Sequence, residues 1–347
     1  MLQFLGMLAA IALTALCWGA YGPVLHLANP GRPDLADSLR SFICVGAAYF
    51  GIAIVVPLAL LARGGERGGW TTRGVLWSLA AGAAGACGAL GVILALGFGG
   101  RPIYVMPLVF GGAPVVNTLL SALFNRAFDQ LKAPFLAGLV LVILGAVTVL
   151  VFKPQAAPHP PAEAAGDAAV AHAAAPAPVQ ATAERFVEVL LAVALAMFSW
   201  GAYGPVLHRG QGAMGGSRLR PLLCIGVAYF LIAVLVPISI LVPLGKAGGW
   251  QFTSTAWSVA AGCLGAIGAL GTILAFTLGG KPFTVMPVVF GCAPVINTLL
   301  TIQLSHTQIA SVSPFFYAGM IVVAAGAAIV LAFGPRGHAP APTSAPT

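Results

Sequence analysis

A few polar and aromatic side chains stand out within long apolar stretches, and they come in pairs. Asn117 and Asn297 each sit among apolar residues and are each followed by a threonine, Thr118 or Thr298. An amide in hydrocarbon is unfavourable unless it is hydrogen-bonded. Each therefore either ties two helices together or offers a polar contact to a bound solute. Tyr21 and Tyr203 add hydroxyls, and Trp18 and Trp200 add flat apolar faces. Such a set suits a neutral or amphipathic organic solute. His26 and His208 lie near the ends of their stretches, where they are either interfacial anchors or the available proton carriers, since an ordinary histidine titrates near about 6.5. Arg101 and Lys281 each precede a proline at a tight turn. A cation at such a mouth either attracts an anionic solute or snorkels to the interface.

The missing groups are as informative. No Asp or Glu falls inside the apolar stretches, and Glu188 lies only at the end of one. A proton-coupled carrier often uses a buried carboxylate whose pKa is raised by desolvation, so its absence argues against that mechanism. No carboxylate pair, metal cluster or activated nucleophile lies within a stretch, so an enzyme is not expected and no cofactor or metal is called for. Cys17, Cys44, Cys87, Cys224, Cys263 and Cys292 show no paired spacing; they read as small buried residues, neither disulfides nor metal ligands.

Of 347 residues, 59% are hydrophobic and 7% are charged, against roughly 25% charged in a soluble domain. With a mean hydropathy of +0.99, this excludes soluble enzymes, nucleic-acid binders and disordered chains. The net charge of +8 is scattered between apolar runs, as topogenic charge on membrane loops is. The partners expected are the lipid bilayer and a small-molecule solute, with no nucleic acid; a homodimer is left open.

These residues must be positioned by membrane helices of about 20 residues each. Ten spans are predicted, at 4–26, 40–62, 75–98, 102–124, 133–152, 186–208, 220–244, 254–278, 282–304 and 313–333. Gly99-Gly100-Arg101-Pro102 breaks the long run from 75 to 124 into a hairpin. The first span has no basic segment before it and recurs in mid-chain, so it reads as a retained helix and not a signal peptide. Loop cations number ten against six in favour of both termini facing the cytoplasm, in a cell (inner) membrane.

The chain is two copies of one unit. Trp18-Gly-Ala-Tyr-Gly-Pro-Val-Leu-His26 returns as Trp200 to His208, and Asn117-Thr-Leu-Leu120 returns as Asn297 to Leu300. Arg40/Arg220, Tyr49/Tyr229 and Trp70/Trp250 recur at the same spacing. Five spans per copy is an odd number, so the second copy enters the membrane in the opposite sense. The expected fold is an all-α membrane protein of ten transmembrane helices in two inverted-topology five-helix repeats, the geometry many carriers use for alternating access. Its parts are a first repeat (1–152), an Ala/Pro-rich linker (153–185), a second repeat (186–333) and a disordered tail (334–347). The rows of glycines at 82, 85, 88 and 91, and at 262, 265, 268 and 271, predict close helix packing.

The chain resembles the drug/metabolite transporter superfamily over residues 4–152 and 186–333. Cys17-Trp18-Gly19 is similar to the leucine-tryptophan-glycine opening of EamA-type units. Met106-Pro107 to Phe124, then Pro134 to Val151 with Gly138 and Gly145, resemble the closing helices. One departure is Asn125-Arg126 and Ser305-His306, where those units usually carry Gly-Glu. Trp-Gly-Ala-Tyr-Gly-Pro is also similar to divergent sugar-uptake branches. The resemblance implies that helices one, three and four of each unit line a central cavity and that helices two and five are peripheral. The function expected is transport of a small organic solute by alternating access; the alternative is a non-transporting membrane sensor or scaffold.

Overall fold

The computed structural model describes residues 2–29, 34–64, 66–126, 128–130, 132–152, 179–278, 282–304 and 312–333. Ten helices account for nearly all of them, and no strand occurs among the described residues. They are α1 (Leu2–Ala28), α2 (Leu35–Ala62), α3 (Thr72–Gly97), α4 (Pro102–Asn125) and α5 (Ala133–Val151). The second five are α6 (Val179–Ala213), α7 (Leu219–Leu241), α8 (Phe252–Thr277), α9 (Pro282–Leu304) and α10 (Pro314–Phe333). Every predicted span coincides with one of these helices. Helix α6 starts at Val179, within the stretch predicted as linker. Pro30 to Pro33, most of the linker and the tail from Gly334 lie outside the described residues.

Local chemistry sets the helix ends. Asp34 accepts from the Asp37 backbone N–H at 2.7 Å and Asp37 returns the bond to the Asp34 N–H, a capping box at the start of α2. Gly99, at φ +98°, makes the turn before α4, a conformation that disfavours any side chain. Helix α7 contains a π-helical segment, Phe230–Leu235, just before Pro237, where the proline has no N–H to offer the ladder.

Among the described residues, eight of the helices are long and apolar enough to cross a bilayer. Their outer faces confirm the solvent they were built for. On α5, Leu136, Val140, Ile143, Leu144, Val147 and Val151 are all more than half exposed, spaced as one helical stripe. A water-facing monomer rarely shows so continuous an apolar patch.

The helices pack crosswise between the halves. α1 lies along α8, α6 along α3, and α5 against α10. The glycine rows are the contact faces. Gly82 meets Ile225 and Ala228 of α7, and Gly91 meets Ala192 and Ala196 of α6. Gly262 meets Val45 and Ala48 of α2, and Gly271 meets Ala10 and Thr14 of α1.

Candidate functional site

Where the two halves meet, aromatic side chains fill the centre of the bundle. Tyr49 of α2 stacks on Tyr229 of α7 with ring centroids 4.0 Å apart and planes 2° from parallel. Tyr21 meets Trp200 edge-on at 6.1 Å. Phe110 joins Trp200 at 6.2 Å and Phe290 at 6.1 Å, and Trp18 packs on Phe290 at 6.4 Å. Tyr21, Tyr49 and Tyr229 are buried, and the Tyr21 hydroxyl has no hydrogen-bond partner. Such a cluster offers ring faces and hydroxyls.

The two tryptophans are held in repeat-related notches. The Trp18 indole N–H donates to the Gly265 carbonyl at 3.3 Å, and the Trp200 indole N–H donates to that of Gly85 at 3.1 Å. Their rings lie where a side chain on Gly268 or Gly88 would collide with them. These glycines are needed for close approach and not for turning the chain.

Asn297 is fully buried on α9, and its amide donates to the Pro102 carbonyl of α4 at 2.9 Å while its Oδ1 has no partner. Asn117 is half-buried on α4 and lies against Gly204 of α6. Asn297 likewise lies against Gly22 of α1, the repeat equivalent of Gly204, so the two copies share that contact and differ in burial and in the bond to Pro102. Half-buried His26, with an unpartnered Nδ1, lies within electrostatic reach of Arg101 at the start of α4. His208 is exposed, and Lys281 lies outside the described residues.

Three parts of the structure differ from expectation. Helix two of each unit is not peripheral, since Tyr49 and Tyr229 carry it into the core. Tyrosine in an apolar run can face either lipid or core, and only packing decides. Trp70, Trp250 and Trp257 are exposed, as interfacial aromatics are, but Trp77 is half-buried with the Arg209 guanidinium 5.2 Å from its ring centre. Arg209 also lies 4.0 Å from the Phe124 ring centre and donates to the Phe124 carbonyl at 3.0 Å, closing the end of α4. Cys292 is exposed, whereas Cys17, Cys44 and Cys224 are buried.

Two polar clusters lie at opposite ends of α2, built around Arg40 and Arg220, which the sequence marks only as a repeat pair. At the start of α2, Arg40 pairs with Asp37 at 2.6 Å and donates to the Lys246 carbonyl at 3.0 Å. Lys246 pairs with Asp34 at 3.3 Å. The Asp37 backbone N–H holds the Asp34 carboxyl below the usual carboxylate range; burial opposes it, and the Lys246 ammonium adds to the lowering. Beyond the far end of α2, Glu66 accepts from the Arg218 and Leu219 backbone N–H groups at 2.6 and 2.8 Å, and from the Ser217 hydroxyl at 2.7 Å. It also pairs with Arg220 at 3.3 Å, and both side chains are only 17% exposed. Helix α7 has no acid of its own where α2 has Asp34 and Asp37, and the α2–α3 connection supplies one. Arg40 and Arg220 are repeat equivalents, as are Glu66 and Lys246.

Length, composition and exposed faces define this chain as a multi-pass, all-helical membrane protein. No known family's sequence model matches it, and no curated protein is similar to it. A protein of known crystal structure shares its fold, with a TM-score of 0.53 over 96% of this chain and 98% of that one, at 19% sequence identity. The likeness is one of fold and spans both halves.

Proposed function

We propose that the protein is a carrier that moves a small organic solute across the cell membrane by alternating access between two inverted five-helix repeats, as an EamA-like branch of the drug/metabolite transporter superfamily. The observation that carries this reading is the exchange of equivalent contacts between the halves. The first helix of each unit lies on the third helix of the other, and Trp18 on Gly265 repeats as Trp200 on Gly85. Two halves that can trade roles have two related packings, each opening to one side. The central tyrosines, Phe110 and Phe290 supply faces and hydroxyls for the solute, and the half-buried Asn117 supplies an amide. Asn297 serves as the tie between α9 and α4. Uptake into proteoliposomes across a panel of metabolites tests the reading. At least one solute accumulates in protein-containing vesicles; if none moves in either direction while the protein still binds a partner, it is a sensor or scaffold.

A further inference from the structure

Repeat-related polar groups at the two ends of α2 bear on the kind of solute. At the α2 start, a cavity of about 60 Å³ opens between α2, the start of α8 and the connection before α8, lined by Asn29, Arg40, Ser41, Trp250, Thr255 and Ser258 among others. Arg40 spends Nη1 on Asp37 and Nη2 on the Lys246 carbonyl, but its buried Nε has no partner. Ser258 is 0% exposed and its hydroxyl also has no partner. A guanidinium N–H can only donate, so the group that completes this cavity brings an acceptor oxygen. Ser254, Thr255 and Gln251 add further donors to the lining. The acid in the lining, Asp37, is already engaged at both oxygens, by Arg40 and by the Asp34 N–H.

The other end of α2 repeats this donor set in a closed form. Arg220 and Ser78, the equivalents of Arg40 and Ser258, likewise have an unpartnered Nε and an unpartnered, fully buried hydroxyl. There Met214 is fully buried against Gly68 and Gly74, Gly210 lies on Ser78, and the Glu66 clamp ties the α2–α3 connection to α7. Each pair takes its arginine from one half and its serine from the other.

We propose that the cavity at the α2 start is a binding site for a small carboxylate, held by the free Arg40 Nε–H and the Ser258 hydroxyl, with Arg220 and Ser78 as its shut counterpart at the other end of the pathway. The site itself stands on the cavity and its two unpartnered donors; its place on a pathway rests on the carrier reading above. Charge-assisted hydrogen bonds of this kind are stronger than neutral ones, and they favour a carboxylate over an amide of the same size.

The test uses the purified full-length protein in detergent, titrated with acetate, with acetamide as the uncharged match and ionic strength held fixed with chloride. The readouts are thermal stabilisation and tryptophan fluorescence, since Trp250 lines the cavity. Acetate gives a saturable response and acetamide does not. Ser258→Ala weakens acetate binding about tenfold, the worth of one hydrogen bond to a charged group, and Arg40→Lys, which keeps the charge but loses the Nε–H, does the same. If Arg40→Lys fails to fold, Ser258→Ala alone decides. No saturable response to acetate, an equal response to acetamide, or unchanged affinity in Ser258→Ala overturns the proposal and leaves the cavity to water. Metabolite uptake in proteoliposomes is read separately. Uptake without acetate binding sinks the site and spares the carrier; acetate binding without any uptake does the reverse.

Discussion

Single side chains divide here into those that hold the bundle together and those left with unused hydrogen-bonding capacity. Glu66 belongs to the first kind, since it satisfies two backbone N–H groups at the start of α7 and faces Arg220. Glu66→Ala leaves that arginine without an acid and the N–H groups without acceptors. The expected loss is about 1–3 kcal/mol, seen as a lower unfolding midpoint in detergent; an unchanged midpoint would show that water replaces the carboxylate. The two asparagines differ in burial and in what they tie. Asn297→Leu orphans no donor but removes the bond to the Pro102 carbonyl from a fully buried position, so folded yield falls. Asn117→Leu keeps folded yield and lowers uptake of whichever solute the protein moves. Equal effects of the two substitutions on yield would contradict the difference in burial and hydrogen bonding between the two asparagines.

At the scale of the element, the glycine rows on α3 and α8 decide how closely the halves approach. Gly88→Ala or Gly268→Ala puts a methyl group into an indole ring, and overpacking of this kind costs about 1–3 kcal/mol. Size-exclusion profiles and thermal melts of the two variants should show it, with a milder effect for alanine at Gly51, where nothing lies nearby. The capping box on α2 carries a pH signature. The folded Asp34 pKa is depressed, so its stabilisation is complete above the unfolded value of about 3.9. It is lost as pH falls through the lower folded value. Hydrogen exchange, corrected for intrinsic rates, should show the first turn of α2 losing protection only below about pH 4; constant protection through that range would remove Asp34 from the cap.

For the whole molecule, the inverted topology proposed above has a direct consequence. Gly69 and Gly248 sit in connections near repeat-related positions, and neither has a neighbour that an added side chain would strike. In a cysteine-free background, Gly248→Cys should react with an impermeant thiol reagent on intact cells, and Gly69→Cys only after permeabilisation. Labelling of both from one side would rule out the inverted arrangement.

The ten helices and the two copies were legible in the sequence because both are local properties. Apolar length marks a span wherever it is packed, and a repeat is visible without knowing what it touches. Trp18 and Trp200, Tyr21 and Tyr203 could be chosen as central candidates on repetition and side-chain type alone. Tertiary structure decided the rest. Tyr49 and Tyr229 looked like any tyrosine in an apolar run until α2 and α7 were brought face to face. Arg220 stood out in the sequence only as the repeat copy of Arg40, and Glu66 not at all, because the two are partners from different halves of the chain, 154 residues apart. Hydropathy states which residues leave water. Which of them then meet, and which donors remain unpaired beside a cavity, depends on contacts between helices distant in sequence, and that was fixed only when the halves packed crosswise.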